Sequence, residues 1–307
     1  MEEKLCFVQF LHPGPEHSPG ANEIMPWNEG PHKRKFMLAK GKYMVQPEDT
    51  AKEEKITFWG EWEAPSKPTP LNPTPEQQKD GYPSYLQEPK LEELPKNFQK
   101  LQNTDPYVFG KQFLYMGCQQ NTIKGATQLR YLEKGSVVLF GSSKNDEFLL
   151  DTVFVVKGYI DHDVSNFEEK LKANVSSVYW DVTVKPWYKG DCGFSGCQKE
   201  EKTAGCRGDE KQTWRLYFGA TIHDRENDMF SFFPCKPDSE EKGFPRPAIQ
   251  IQDIINGEIT QGKKLNRMYP KDHGRIKELW REVVTQVQDK GLALGVYAEE
   301  PSCLTLS

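Results

Sequence analysis

Two apolar runs near the middle of the chain carry its clearest hydrophobic pattern. Residues 136–142 (SVVLFGS) and 148–156 (FLLDTVFVV) are rich in β-branched and aromatic side chains, and the polar stretch 143–146 separates them. Such a pair predicts a β-hairpin. Because hydrophobicity is nearly continuous along both runs, we expect the hairpin to be buried on both faces, in the middle of a barrel or sandwich.

Shorter runs of the same kind predict that strands dominate the fold. Residues 5–11 (LCFVQFL) are apolar, and residues 55–63 alternate, with Ile56 and Phe58 on one side and Trp59 and Glu61 on the other. Further short strands are predicted at residues 112–116, 177–184, 213–222, 229–233 and 248–252.

Residues 275–289 have the spacing of a long helix. Their apolar side chains recur at i, i+3, i+4, i+7, i+8 and i+11, from Ile276 to Val287. Asp272 is placed to cap the start of this helix and Gly291 to end it, and residues 167–173 predict a shorter helix. The predicted fold class is α+β and strand-dominated: a barrel-like or strongly bent antiparallel sheet with one long C-terminal helix packed on it.

Proline, glycine and cysteine mark two segments that interrupt these elements. Residues 65–105 are rich in proline, which predicts a largely irregular insertion or a lid over the domain. Residues 189–212 form a loop rich in glycine and cysteine. With 307 residues and no internal repeat, the chain is predicted to form a single β-rich domain over residues 1–307.

Residues 129–156 resemble the hairpin of PUA-like domains. The stretch passes through Leu132-Glu-Lys-Gly-Ser136 and VVLF to a second run that ends in VFVV. It is similar to the L-x-x-G-D-x-V-x-F pattern of that superfamily, with Ser136 in the place of the usual acidic residue. The superfamily includes ASCH, EVE and YTH modules, and the resemblance implies a pseudo-barrel whose pocket reads RNA or a modified base.

Charge and composition limit the classes of partner that the protein is expected to bind. The formal net charge of −5 argues against a protein that coats nucleic acid through its overall field. Residues 32–42 nevertheless contain five Lys or Arg and no acid, which is either a local phosphate contact or a solvated strand edge. The sequence has no apolar run long enough to span a bilayer and begins MEEK, so we expect a prokaryotic cytoplasmic protein with no membrane partner.

A polar loop over residues 10–42 concentrates candidate ligand-binding groups. Recognition of a nucleotide or nucleic acid requires an indole for stacking, an amide for a base edge and cations for phosphate. The same groups would also suit a small anionic metabolite. The predicted ligand-binding residues are Glu16, Trp27, Asn28, His32, Lys33, Arg34 and Lys35 of this loop and Trp59 of the following strand.

Three residues are candidates for catalysis. His12 and His17 flank Glu16 at nearly metal-ligand spacing, but the intervening prolines prevent the helical placement that a zinc hydrolase motif needs. Hydrogen bonds to a ligand or to the backbone are the simpler role for these imidazoles. Cys118 follows a predicted strand and could pair with a histidine of the loop, or be a buried small thiol.

Four cysteines are a candidate structural zinc site. Cys192, Cys197 and Cys206 lie in the glycine-rich loop, and Cys235 is the predicted fourth ligand. Thiolates in a tetrahedral arrangement suit zinc, while reduced thiols that bind no metal are the alternative, since a chain without a secretory signal is not expected to use disulfides.

Two functions follow from these features. The first is a ligand-binding module that recognises a nucleotide, a modified base or a nucleic-acid end. The second is a hydrolase or nucleotide-processing enzyme that uses His12, His17 or Cys118. The sequence contains neither a Walker-type phosphate loop nor a dinucleotide fingerprint, which sets aside those two enzyme classes.

Overall fold

The structure is a computed structural model that describes residues 2–12, 14–20, 24–28, 32–92, 104–122, 125–189, 212–239, 243–251, 254 and 272–302. The strands are β1 Phe7–Leu11, β2 Lys35–Met44, β3 Lys52–Gly60, β4 Ser66–Pro70, β5 Tyr85–Pro89, β6 Leu114–Met116, β7 Asn121–Thr122, β8 Gly125–Ala126, β9 Val137–Lys144, β10 Glu147–Asp163, β11 Thr213–Gly219, β12 Phe233–Pro237, β13 Ala248–Ile249 and β14 Ala293–Ala298. The helices are α1 Pro75–Asp80, α2 Phe167–Leu171, α3 Ser177–Tyr179, α4 Lys185–Lys189 and α5 His273–Asp289, with a 3-10 turn at Gln128–Tyr131 and a π-helical stretch at Trp180–Val184.

Two sheets organise these strands. The first has the order β1-β9-β10-β11-β6, with β13 added beside β10. The second has the order β14-β12-β3-β2-β5-β4, and a further pairing of β14 with β2 closes β2, β3, β12 and β14 into a four-stranded barrel. Pairing is antiparallel except between β1 and β9 and between β2 and β5. The strand-dominated α+β class with a barrel is therefore confirmed.

Glycine makes so small a barrel possible. A Cβ on Gly41 in β2 would lie 2.4 Å from the Ile56 side chain, and one on Gly295 in β14 would lie 2.2 Å from the Phe233 ring. Both distances are shorter than any real carbon–carbon contact, so closure of the ring requires a residue without a side chain at each place.

The hairpin of β9 and β10 is confirmed and is buried on both faces. Its turn is Asn145-Asp146, and both residues have positive φ, as a two-residue hairpin turn requires. Val138 and Phe154 point into a core cluster shared with the barrel, whereas Leu139 and Val155 point into a second cluster shared with α5. The two clusters are thus opposite faces of one sheet.

The long C-terminal helix is confirmed as α5. Its start is capped by Asp272, whose carboxylate accepts hydrogen bonds from the backbone amides of Gly274 and Arg275. Its buried residues are the six apolar side chains predicted from the spacing: Ile276, Leu279, Trp280, Val283, Val284 and Val287. In the described part of the chain no helix is both long and apolar enough to cross a membrane.

Three segments differ from the sequence-based expectation. Of residues 229–233, expected to form a strand, only Phe233 lies in one, at the start of β12. Residues 177–184 were expected to form a strand but are helical, because Ser176 caps the segment and Val178, Tyr179 and Val182 bury at helical spacing. The described part of the proline-rich segment is more regular than expected. It contains β4, α1 and β5, and β5 joins the edge of the barrel sheet through β2.

Candidate active site

The ends of several strands bring charged side chains into the space between the two sheets. His12 directly follows β1, where its amide donates to the Gly141 carbonyl at 2.7 Å and so extends the pairing with β9. Glu61 follows β3, and Arg34 directly precedes β2. All three side chains are almost fully buried, so their charges must be satisfied by one another.

Cys118, His12 and Glu61 form a chain of hydrogen bonds. The sulfur of Cys118 lies 3.3 Å from Nε2 of His12, and Nδ1 of His12 lies 2.7 Å from Oε2 of Glu61. The imidazole is 2% exposed, whereas Cys118 is partly exposed. The protein therefore places a thiol at the surface end of a buried histidine–carboxylate pair.

The turn that presents Cys118 is held by a buried carboxylate. Oδ1 of Asp105 accepts the amide of Met116 at 2.7 Å, and Oδ2 accepts the amide of Cys118 at 3.1 Å. The hydroxyl of Tyr115 donates to the carbonyl of Cys118 at 2.6 Å. These bonds fix the backbone on both sides of the thiol, so the position of the sulfur does not depend on His12 alone.

Burial sets the protonation of the thiol and of its partner. Burial lowers the pKa of His12, although the Glu61 carboxylate opposes this shift. Burial and the nearby Asp105 and Glu61 carboxylates hold the pKa of the Cys118 thiol well above its usual range. At neutral pH the pair is therefore a neutral thiol and a neutral imidazole, with the Nδ1 proton directed to Glu61 and Nε2 left as an acceptor.

Glu61 is also one end of a chain of alternating charges. Arg34 donates from Nη1 to Oε2 of Glu61 at 2.6 Å, and its Nε lies 2.6 Å from Oδ2 of Asp151 in β10. The second contact is an ion pair that is poorly aligned for a hydrogen bond. Asp151 sits at a bulge in β10, which turns its side chain out of the strand's regular alternation, and its Oδ1 lies 3.6 Å from Arg246.

His32 and Glu63 border the same cluster. Nδ1 of His32 lies 3.2 Å from Oε1 of Glu61 and 3.0 Å from Oε1 of Glu63. Burial alone would lower the pKa of His32, but these two carboxylates outweigh it and raise that pKa to about 11. Lys35 donates to the Ala64 carbonyl at 3.0 Å, and its burial lowers its pKa to about 7.

In the described part of the chain, His32, Glu61 and Glu63 form one group of residue types that can bind a metal ion. Ligand atoms of His32, Glu61 and Glu63 all lie within 4.8 Å of one another. In this structure the His32 nitrogen that faces the two carboxylates pairs with both of them. The group is therefore an ion-pair cluster in this structure.

The other predicted ligand-binding residues differ in burial and position. Trp27 and Asn28 are buried at 4% and 3% exposure, and neither presents a face on which a base could stack. Lys33 is half-buried. Glu16 accepts hydrogen bonds from the amides of Ser84 and Tyr85, which places it in a groove lined by Arg246 rather than beside Cys118.

The remaining predicted candidates have other positions. His17 is half-buried and its amide donates to the Arg34 carbonyl, while burial lowers the pKa of its imidazole to about 3. The Trp59 ring packs 5.4 Å from that of Phe36. Of the predicted zinc ligands, Cys235 is buried in β12, and Cys192, Cys197 and Cys206 lie outside the described residues. The zinc site stays a prediction.

Sequence reasoning did not single out five charged members of the cluster. Glu61 and Glu63 follow β3, and the alternation of residues 55–63 places both side chains on the same side of the extended chain. Asp151 interrupts an otherwise apolar run, which was a usable signal. Asp105 stands before Pro106, a pair that predicts only a turn, and Arg246 has no local signal.

Comparison of the chain with protein-family models, with curated proteins and with solved structures finds no match. The resemblance of residues 129–156 to PUA-like domains stays a prediction.

Proposed function

We propose that this protein is a thiol enzyme that hydrolyses or transfers an acyl group, with Cys118 as the nucleophile and His12 as its general base. The observation that carries the proposal is the pair of contacts at 3.3 Å from Cys118 to His12 and 2.7 Å from His12 to Glu61. A nucleophile, a base within hydrogen-bond reach and a third group that orients the base are what this class of catalysis requires.

The neutral starting state fixes the order of proton transfer. As the sulfur attacks a carbonyl carbon, the thiol proton moves to Nε2 of His12, the C–S bond forms and the carbonyl electron pair moves to oxygen. When this intermediate collapses, the leaving group departs with the proton from Nε2, and a thioester remains on Cys118. Water then gives its proton to the same nitrogen and attacks the thioester, which releases the acid and restores the thiol.

Glu61 and His32 have separate roles in this scheme. Glu61 accepts the Nδ1 proton of His12, which holds the imidazole in the tautomer that leaves Nε2 as the base. Its contacts with His12, His32 and Arg34 outweigh burial and hold the pKa of the Glu61 carboxyl well below its usual range. His32 is 26% exposed and protonated, with its ring stacked 6.1 Å from that of His12, so its positive charge supports the developing oxyanion.

Acylation by p-nitrophenyl acetate tests the proposal. We expect rapid release of p-nitrophenol and an acetyl group on the peptide that contains Cys118, located by mass spectrometry. His12→Gln should slow acylation by about 10²-fold or more, because the thiol loses its base. Cys118→Ser should abolish the acetylated thiol while keeping the fold, which urea unfolding checks.

Cys6 is the matched control. It is buried like the cluster, burial raises its pKa to about 12, and its sulfur contacts the Lys4 carbonyl instead of an imidazole. Cys6→Ala should leave the acylation rate unchanged. The proposal is wrong if His12→Gln acylates Cys118 as fast as the parent, or if a chelator abolishes the reaction and zinc restores it.

A further inference from the structure

A broad groove is lined by Arg246 but not by Cys118. Two adjoining cavities of about 510 and 530 Å³ form it, and both are lined by Gly81, Tyr82, Lys144 and Arg246. The walls come from the end of α1, the turn between β9 and β10, β12, residues 243–248 and the end of α5. Each cavity is in the size range of pockets that hold a small organic ligand.

The groove has more cations than acids. Its positive side chains are Lys79, Lys144, Lys236, Lys290 and Arg246, and its acids are Glu16, Asp80 and Glu147. Glu16 already accepts hydrogen bonds from the amides of Ser84 and Tyr85. In the ranges that the structure describes, none of the four lysines has a carboxylate within ion-pair distance. Their mutual repulsion would be relieved by a bound anion.

Arg246 gives the groove a fixed cation at its floor. Its side chain is only 8% exposed, and it donates to the Ser142 hydroxyl and, at 2.9 Å, to the Gly14 carbonyl. Its guanidinium lies 5.4 Å from the centre of the Trp59 ring. A guanidinium held in place in this way binds an oxyanion with little loss of side-chain entropy, whereas the lysines around it can adjust to the shape of the ligand.

Lys144 reaches across the groove. Its ammonium lies 3.5 Å from the place that a Cβ on Gly81 would occupy, and Gly81 ends α1 with a φ of +89°. The positive φ favours glycine at this position, and the Lys144 ammonium lies close to its backbone, next to Tyr82 in the chain. The aromatic rings of Tyr82 and Trp59 line the same cavity as Lys144 and Arg246, which is the combination that holds a flat group next to a phosphate.

We propose that this groove binds a small phosphorylated molecule of the nucleoside phosphate class, with its phosphate between Arg246 and Lys144 and its flat group against Tyr82. The proposal does not depend on the thiol chemistry at Cys118. It uses Glu16 and Trp59, which the sequence assigned to a ligand site, together with cations that no sequence pattern pointed to.

Isothermal titration calorimetry of the full chain with AMP, ATP, inorganic phosphate and adenosine tests the groove. We expect AMP or ATP to bind, inorganic phosphate to bind more weakly, and adenosine to bind at least tenfold more weakly than AMP. The double variant Lys144→Gln/Lys290→Gln should weaken nucleotide binding about tenfold or more, because charge-assisted contacts to the phosphate are lost. Both lysines are exposed, so the fold should be kept.

Lys67→Gln/Lys111→Gln is the matched control. These lysines are also exposed, and the change in net charge is the same, but neither lines the groove. The control should bind like the parent. The proposal is overturned if no nucleotide or phosphate binds at millimolar concentration, if adenosine binds as tightly as AMP, or if the control loses as much affinity as the groove variant. It is also overturned if affinity rises with the length of an oligonucleotide, since that result would indicate a nucleic-acid surface.

Discussion

The charge cluster around Glu61 and the groove both include Arg246, which contacts Asp151 and also lines the groove. The two regions nevertheless differ in how their charged side chains are paired. In the cluster, Arg34 lies 2.6 Å from carboxylate oxygens of both Glu61 and Asp151, and the side chains are almost fully buried. In the groove, exposed lysines surround open space. The charged side chains of the cluster pair with one another, whereas the four lysines of the groove have no carboxylate within ion-pair distance among the described residues.

This difference separates two kinds of site. Buried ion pairs that satisfy one another hold atoms at fixed distances, which suits a base that must stay within reach of a thiol. Exposed cations without partners attract an anion from solution and adjust to it. We therefore expect the first region to control stability and reaction rate, and the second to control affinity in a manner that depends on salt.

The largest expected effect is the loss of Arg34. Arg34→Met leaves the buried carboxylates of Glu61 and Asp151 without their shared cation, which should lower the free energy of unfolding by about 3–5 kcal/mol. Lys144→Met removes a cation from the groove and should change it by no more than about 0.5 kcal/mol. Urea unfolding of both variants checks the contrast. Equal effects would remove the distinction between the two regions.

The pH dependence of stability comes next, and it has two opposing contributions. His32 has a folded pKa of about 11, above its unfolded value, so its contribution is full below about pH 6.5 and is lost as the pH rises through 11. Lys35 has a folded pKa of about 7, below its unfolded value, so its cost disappears as the pH rises from 7 to about 10.5. Between pH 7 and about 8, below the range in which the Cys6 and Cys118 thiols add slopes of their own, the slopes of His32 and Lys35 cancel in the parent.

Single variants should reveal each slope. In His32→Gln the free energy of unfolding should rise with pH between 7 and about 8, by up to about 1.4 kcal/mol per pH unit, because Lys35 releases a proton on folding and no imidazole at position 32 takes one up. In Lys35→Met it should fall over the same window. Urea unfolding at several pH values measures both. Parallel profiles for the parent and both variants would contradict the pKa directions.

A smaller effect is expected at Asp105, which positions the thiol without touching a substrate. Asp105→Asn keeps one acceptor but loses the other, so one of the amides of Met116 and Cys118 stays unpaired. This should cost about 1–3 kcal/mol of stability and slow acylation of Cys118. Asp105→Ala removes both acceptors and should be worse in both measurements. A variant that acylates at the parental rate would show that the turn needs no carboxylate.

The smallest effect is one of salt. Raising the ionic strength from about 0.01 to 0.15 M shortens the Debye length from about 30 to 8 Å, which should weaken nucleotide binding in the exposed groove several-fold. The rate of Cys118 acylation by a neutral ester should not change, because the cluster is buried. Calorimetry and the ester assay in the same buffers compare the two regions directly.

Local pattern predicted the elements better than it predicted the site. The β9–β10 hairpin and α5 follow from hydrophobic periodicity and a cap, which act over a few residues. Residues 177–184 were assigned to the wrong element because Val and Tyr favour strands locally, whereas the buried contacts of Val178 and Val182 favour a helix.

The candidate site was predicted one residue at a time. His12 and Cys118 were both named as candidates, but 106 positions separate them, and their 3.3 Å contact depends on how β1 and β6 are placed in the same sheet. Asp151 breaks an apolar run and so could be noticed, but its side chain reaches the cluster at a bulge in β10, and the hydrophobic pattern does not show the register shift that directs it there.

The charge cluster also determines when the protein can become reactive. His12 and Asp151 belong to the first sheet, while Arg34 and Glu61 belong to the barrel sheet, so the Cys118–His12–Glu61 arrangement exists only where the two sheets meet. Barrel closure requires β14, which ends at Ala298. In the proposed chemistry, the Cys118 thiol would therefore gain its oriented base during synthesis only after β14 has been made, long after Cys118 itself.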